Sequence, residues 1–112
     1  MMTIKDLPLE KKVLLIDRLI LCLDYWKQNL WDFESGAIES HEYQRDIYWY
    51  KAHGIRDTLT ILYGRSPGLD KFMLYFTAIT DDEDEDYDPE ELCDILRDAF
   101  GITEEEYQLS ED

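Results

Sequence analysis

The chain has few of the residues from which catalytic and metal-binding motifs are built. Its two cysteines, Cys22 and Cys93, lack CxxC spacing, and its two histidines, His41 and His53, lack the HExxH spacing of zinc proteases. The five glycines are scattered, so the sequence has no glycine-rich phosphate-binding loop. We therefore expect a protein that is not an enzyme, binds no metal or cofactor and keeps both cysteines as reduced, buried thiols.

Long hydrophobic runs are missing as well, and positive charge is scarce in one part of the chain. No stretch of about 20 apolar residues could span a membrane, and charged residues interrupt any signal-peptide pattern near the N-terminus. After Lys71 there are sixteen acidic residues and a single base, Arg97, whereas the first 71 residues are nearly neutral. The net charge of −16 repels anionic membrane surfaces and nucleic acid, so we expect the protein to bind neither directly. Because a signal-peptide pattern is lacking, we expect the protein in the cytoplasm.

Apolar residues recur at spacings of three and four in the first part of the chain, which predicts two long helices. The first covers 9–33, with Asp6 as its N-cap and Gly36 as its stop. Ser40 is expected to cap the second helix, which Gly64 ends, and Gly54 inside it indicates a kink or a close approach to the first helix. A short link between two long helices predicts an antiparallel hairpin.

The following segment begins with a helix start signal, Ser66 as cap and Pro67 at the first helical position. We favour a helix over 69–79, with a strand as the alternative because the segment is rich in aromatic residues. Residues 72–76 are apolar on every face, which predicts that all of them are buried.

The last helix has a strong start signal in Asp88 as cap and Pro89 at the first position, with Glu91 completing a capping box. Its predicted inner face consists of Leu92, Cys93, Leu96, Ala99 and Phe100. Gly101 ends this helix, and a second capping box, Thr103 with Glu106, opens a short last turn. Leu109 is expected to anchor that turn, and residues 110–112 are expected to fray.

Residues 1–112 are thus predicted to form one all-α domain. It consists of a long antiparallel helical hairpin, a third buried helix, an acidic loop at 81–88 and a capped C-terminal helix. The loop has the alternating acids of a calcium site at Asp82, Asp84, Asp86 and Asp88. However, Tyr87 stands where the calcium loop needs glycine and Cys93 where it needs a bidentate glutamate, so weak divalent binding stays an alternative.

The concentrated acid is the feature from which a function can be predicted. In an extended chain, residues 81–86 would place one charge about every 3.3 Å, close to the roughly 3.4 Å between phosphates along one nucleic-acid strand. We expect this surface to bind a basic nucleic-acid-binding protein. The predicted contact set is Asp81, Asp82, Glu83, Asp84, Glu85, Asp86, Asp88, Glu90, Glu91, Asp94 and Asp98.

In size, in a pI near 4.2 and in charge layout, the chain resembles the small acidic inhibitors encoded by phages and other mobile elements. These include anti-CRISPR proteins, anti-restriction proteins and inhibitors of uracil-DNA glycosylase. The resemblance implies a non-enzymatic inhibitor that imitates DNA. Such a protein would block the nucleic-acid groove of a CRISPR effector or another nuclease.

The aromatic residues of the hairpin suggest a second hypothesis. Trp31, Trp49 and Tyr50 are more than the core of a helical hairpin needs, and Trp and Tyr are favoured in protein interfaces. Either Trp49 and Trp31 pack against the third helix, or the three residues form the binding face of an adaptor or immunity-type protein. In that alternative, the acidic run would serve solubility alone.

Overall fold

The computed structural model describes residues 2–39, 46–81 and 87–111. Within these ranges the chain forms helices and no strand, which confirms the all-α prediction and the helical form of 69–79. The elements are a 3-10 turn (Ile4–Asp6) and the helices α1 (Leu9–Glu34), α2 (Asp46–Tyr63), α3 (Pro67–Asp81), α4 (Pro89–Phe100) and α5 (Glu104–Glu111). The predicted cap Ser40 lies outside the described residues.

Helices α1 and α2 form the predicted antiparallel hairpin. The ring of Tyr25, late in α1, lies 5.5 Å from that of Tyr48, early in α2. At the other end of the pair, Ile4 before α1 and Tyr63 at the end of α2 line the same small cavity. Contacts that join opposite ends of the two helices in this way require antiparallel axes.

Helices α3 and α4 form a second antiparallel pair. Gly68, at the start of α3, meets the backbone of Ala99 near the end of α4. Farther along, the N–H of Asp88 donates to the hydroxyl of Tyr75 at 3.0 Å. The sequence assigned that N–H to Glu91 in a capping box, so the reciprocal half of the predicted box was wrong.

The core lies where α1 crosses α3 and α4. Trp26 of α1 is completely buried, and its ring meets Phe76 edge-on at 6.3 Å, while Phe76 meets Phe72 in the same way at 6.0 Å. The prediction of a third buried helix is therefore confirmed. The prediction that all of 72–76 is buried was wrong for Leu74, which is 72% exposed, because a helix in a bundle has an outer face.

Helix α4 is amphipathic and contributes the other wall of the core. Its buried residues are Leu92, Ile95, Leu96, Ala99 and Phe100. The predicted inner face contained Cys93 in place of Ile95. Cys93 is half-buried at the edge of that face, whereas Cys22 is buried as predicted.

Most of the predicted caps are confirmed. The hydroxyl of Ser66 accepts the N–H of Leu69 at 3.3 Å. Gly101 ends α4 in the left-handed conformation (φ 70°, ψ 40°), which glycine adopts without the steric cost of a side chain. Thr103 and Glu106 exchange two backbone-to-side-chain bonds of 3.1 Å each.

Two predictions about helix ends were wrong. Asp6 does not cap α1: it bonds the N–H of Thr3 at 2.7 Å and so closes the 3-10 turn, and Pro8 occupies the cap position of α1. Leu109 is not an anchor, since it is 74% exposed. Both errors come from neighbouring elements. The 3-10 turn displaces the start of α1, and α5 contacts α1 through Tyr107 instead of Leu109.

A charged cluster connects α2 with α3. Asp70 accepts one bond of 2.8 Å from Arg56 and another of 2.8 Å from Arg65. The hydrogen bond from Arg65 and, to a lesser extent, the one from Arg56 hold the pKa of Asp70 below its usual value. A charged Asp70 therefore stabilises the contact between the two helices.

The glycines within the helices occupy opposite environments. A Cβ at Gly68 would lie 2.6 Å from the Cα of Ala99, so α3 and α4 approach this closely because residue 68 has no side chain. A Cβ at Gly54 would meet nothing within 4 Å. The predicted close approach of α1 at Gly54 was wrong, and the close approach in this fold lies at Gly68.

Replacing each of these glycines by alanine should change the stability in opposite directions. We expect Gly54→Ala to raise the free energy of unfolding by about 1 kcal/mol through helix propensity. Gly68→Ala should lower it by roughly 1–3 kcal/mol, because the backbone of Ala99 must move. Urea unfolding followed by circular dichroism measures both, and equal shifts of the same sign would contradict this packing.

Asp70→Asn should reduce stability in a pH-dependent way. Because the folded-state pKa is depressed, the contribution of Asp70 is complete above its unfolded pKa of about 3.9 and is lost as the pH falls through the folded value. The wild type should be more stable by up to about 1 kcal/mol at pH 7, and the difference should shrink below about pH 4. A difference of the same size at pH 3 would contradict this, and Arg56→Gln/Arg65→Gln should abolish the difference.

Candidate functional site

The outer side of α4 is an acidic face. Because Leu92, Leu96 and the other apolar residues of α4 turn inward, the intervening positions must face solvent. Its acidic residues are Glu90, Glu91, Asp94 and Asp98, and each of them is exposed. These four residues are called the α4 acidic face below, and all four belong to the predicted contact set.

Little of this charge is neutralised. Arg97, the single base after Lys71, pairs with Asp94. In the part of the chain that the structure describes, Glu90, Glu91 and Asp98 have no basic partner. The α4 acidic face therefore retains most of its negative charge.

The remaining members of the predicted contact set lie next to α4 in the chain. Asp81 is the exposed last residue of α3. Asp88 is the N-cap of α4: its carboxylate accepts the N–H of Glu90 at 2.9 Å and that of Glu91 at 3.5 Å. Asp82, Glu83, Asp84, Glu85 and Asp86 lie outside the described residues, so the acidic loop stays a prediction there.

Residues on both sides of the acidic run are fixed to the bundle. The hydroxyl of Tyr87 donates to Asp24 on α1, and the next residue, Asp88, bonds Tyr75 on α3. Burial raises the pKa of Asp24, and the phenol is a donor that compensates part of the lost hydration. The acidic run 81–86 therefore begins at the last residue of α3. It is followed by Tyr87, which is bonded to α1, and by Asp88, which is bonded to α3.

Helix α5 adds further acid that the predicted contact set did not include. Glu104, Glu105 and Glu106 are exposed in its first turn. The hydroxyl of Tyr107 donates to Asp17 and so holds α5 against α1. The sequence contained these three glutamates, but nothing in the local pattern indicated where the last helix would dock.

The aromatic residues of the alternative hypothesis divide into two groups. Trp49 is half-buried, and its Nε1–H donates to Thr77 of α3 at 3.2 Å, so it packs against the third helix. Tyr50, 67% exposed, and Trp31, 49% exposed, face solvent. The rings of Trp49 and Tyr50 meet edge-on at 5.2 Å.

His53 Nδ1 lies 3.0 Å from a carboxylate oxygen of Asp57, but among the described residues no third ligand accompanies them. Within 2–39, 46–81 and 87–111, no three His, Cys, Asp or Glu side chains form a group that could hold a metal ion. In the same ranges, none of the helices combines the length and apolar character needed to cross a membrane.

Comparisons with known proteins found no relative of this chain. The chain matches no protein-family model, no curated protein and no solved structure.

Two substitutions at Asp88 should separate its structural role from its charge. Asp88→Ala removes the acceptor of the Glu90 and Glu91 N–H groups, and we expect it to cost about 1 kcal/mol of unfolding free energy. Asp88→Asn keeps a capping oxygen and should leave stability almost unchanged, since asparagine caps as well as aspartate. Thermal unfolding measures both, and an equal loss in the two variants would assign the effect to charge instead of capping.

Proposed function

We propose that this chain is a non-enzymatic inhibitor that binds a basic nucleic-acid-binding groove and excludes the nucleic acid from it. The target would be a nuclease or another DNA- or RNA-binding enzyme, such as a CRISPR effector. One observation carries the proposal: the α4 acidic face is rigid, exposed and largely without basic partners in the part of the chain that the structure describes. The acidic run before α4 and the glutamates of α5 would enlarge the same surface.

The spacing of the charges supports this hypothesis. Glu90, Asp94 and Asp98 follow one another at four residues, which separates them by about 6 Å along the helix axis. Helix α4 therefore presents a row of negative charge at fixed distances that turns slowly around the helix axis. A groove lined by Lys and Arg attracts such a row from a distance, which speeds association and favours this partner over neutral ones.

The rigidity of the row also contributes to affinity. The cap at Asp88, the glycine stop at Gly101 and five buried apolar residues hold α4 in one conformation. A preorganised surface loses less conformational entropy on binding than a flexible acidic tail does. We therefore expect α4 to make the strongest contacts with the target and the neighbouring acids to contribute long-range attraction.

Charge reversal on α4 should weaken binding to such a target. The first step is capture of host proteins on immobilised chain at low salt, with elution by a salt gradient and then by heparin. A nucleic-acid enzyme released by heparin would then be tested for inhibition by the purified chain. We expect Glu90→Lys/Asp98→Lys to weaken that inhibition about tenfold or more.

The matched control is Glu10→Lys/Glu34→Lys. It changes the net charge by the same amount, and its positions are likewise the first and last turns of a helix, here α1. We expect the control to inhibit almost as well as the wild type. Equal losses in both variants would show that net charge alone acts, and the proposed role of α4 would then fail.

The exposure of Trp31 and Tyr50 favours one second candidate. An adaptor that binds its partner through these rings would lose affinity on Trp31→Ala or Tyr50→Ala and keep it when the acids of α4 are replaced. Salt separates the two functions, because the Debye length falls from about 10 Å at 0.1 M to 3 Å at 1 M. Binding through the acid should weaken steeply over this range, and binding through the aromatic rings should not.

A further inference from the structure

A groove runs between α1 and α2, and residues of both helices line it. Its volume is about 750 Å³, within the range of roughly 300–1,000 Å³ that is usual for small-molecule sites. On α1 it extends from Leu15 to Tyr25, which corresponds to about 15 Å of helix. Neither the predicted contact set nor the alternative aromatic set includes any residue of this groove.

The floor and walls of the groove are mainly apolar. Leu15, Leu21 and Cys22 line it from α1, and Ile55 and Leu59 line it from α2. Gly54 leaves a gap in the α2 wall, since a Cβ there would contact nothing within 4 Å. The aromatic pair Tyr25 and Tyr48 stands at one end. The groove therefore suits an apolar chain that lies along the two helices.

The charge of the lining is the unusual feature. The whole chain has 27 acidic and 11 basic residues, yet among the described residues the charged ones that line the groove are two bases, Arg18 and Lys51. Neither forms an ion pair within the described ranges. The Nζ of Lys51 lies 5.4 Å from the centre of the Tyr48 ring. These two cations are available for an anion that enters the groove.

Both cations line the groove together with Cys22. Burial raises the pKa of the Cys22 thiol, and the positive charges of Lys51 and Arg18 partly oppose that effect. Arg18 lies one turn before Cys22 on the same side of α1, and Lys51 lines the same groove from α2. An anionic group in the groove therefore meets one cation from each helix.

We propose that the groove between α1 and α2 binds a small amphiphile with a carboxylate head, of the fatty-acid class. The apolar chain lies on the leucines and on Ile55, and Arg18 and Lys51 hold the carboxylate. The planar guanidinium of arginine matches the two oxygens of a carboxylate. Two cations are too few for a nucleic acid, which is held by many phosphate contacts, and a net charge of −16 opposes a second copy of the chain.

The test compares three ligands that share one chain and differ in the head: dodecanoate, dodecanol and dodecyltrimethylammonium. Each is titrated below the concentration at which it forms micelles or separates from water, and binding is followed by calorimetry. General attraction to an acidic protein would favour the cation. We expect the opposite order: dodecanoate should bind most tightly, and the affinity for the cation should be lower by about tenfold or more. Binding of the cation as tight as that of dodecanoate would overturn it.

Variants then locate the site. Arg18→Gln/Lys51→Gln should weaken dodecanoate about tenfold and leave dodecanol almost unchanged. Lys11→Gln/Lys71→Gln removes two exposed bases elsewhere and should leave both affinities unchanged. If the two double variants weaken dodecanoate equally, the effect is one of net charge and the proposal fails.

Filling the groove supplies a variant that is expected to fold well. Gly54→Leu replaces a helical glycine by a good helix former and directs a side chain into the open space. Its unfolding midpoint should rise, while its affinity for dodecanoate and for dodecanol should fall. Unchanged affinity in a folded Gly54→Leu protein would overturn the proposal. A second copy of the chain would occupy the groove if sedimentation showed that the wild type is a dimer and that Gly54→Leu is a monomer, and that result would overturn it as well.

Discussion

The burial of Trp26 against Phe76, which in turn meets Phe72, is the contact on which the rest of the fold depends. It fixes the longest helix, α1, across the most apolar one, α3. Edge-on aromatic pairs of this kind add about 0.5–1.5 kcal/mol beyond the burial of their surface. With α1 and α3 held in this way, α2 and α4 close the bundle from either side, and α5 lies on the remaining part of α1.

The same helix separates the charges of the molecule. Asp24, which meets Tyr87, and Cys22, in the floor of the groove, are about 160° apart around α1 at 100° per residue. One side of α1 therefore receives the acidic C-terminal elements, and the other side carries Arg18 toward α2. The molecule has a strongly negative surface and a small basic groove because a single helix has neighbours of different composition on its two sides.

How much the sequence predicts depends on how local the cause is. The caps at Ser66 and Asp88, the stop at Gly101 and the box of Thr103 with Glu106 depend on residues within one turn, and each of these features was predicted. The exposure of Leu109 and the open space beside Gly54 depend on where another helix docks, so no local pattern revealed them.

The candidate site follows the same rule. The outer row of α4 could be predicted because helical periodicity alone places it. The groove of Arg18 and Lys51 could not, because its two sides come from different helices and its cations stand about thirty residues apart in the chain. Helical periodicity gives the face of each helix, and only the packing of the helices shows which faces meet.

The phenols of Tyr87 and Tyr107 attach the acidic part of the chain to α1 by donating to Asp24 and Asp17. A lysine or arginine in either place would form an ion pair, which salt weakens through screening. Because the donors are uncharged phenols, screening leaves these attachments largely intact while it reduces repulsion among the sixteen acids that follow Lys71. If the acidic surface binds a basic partner as proposed, the ionic strength that releases that partner also favours the folded chain, so association and folding would respond to salt in opposite directions.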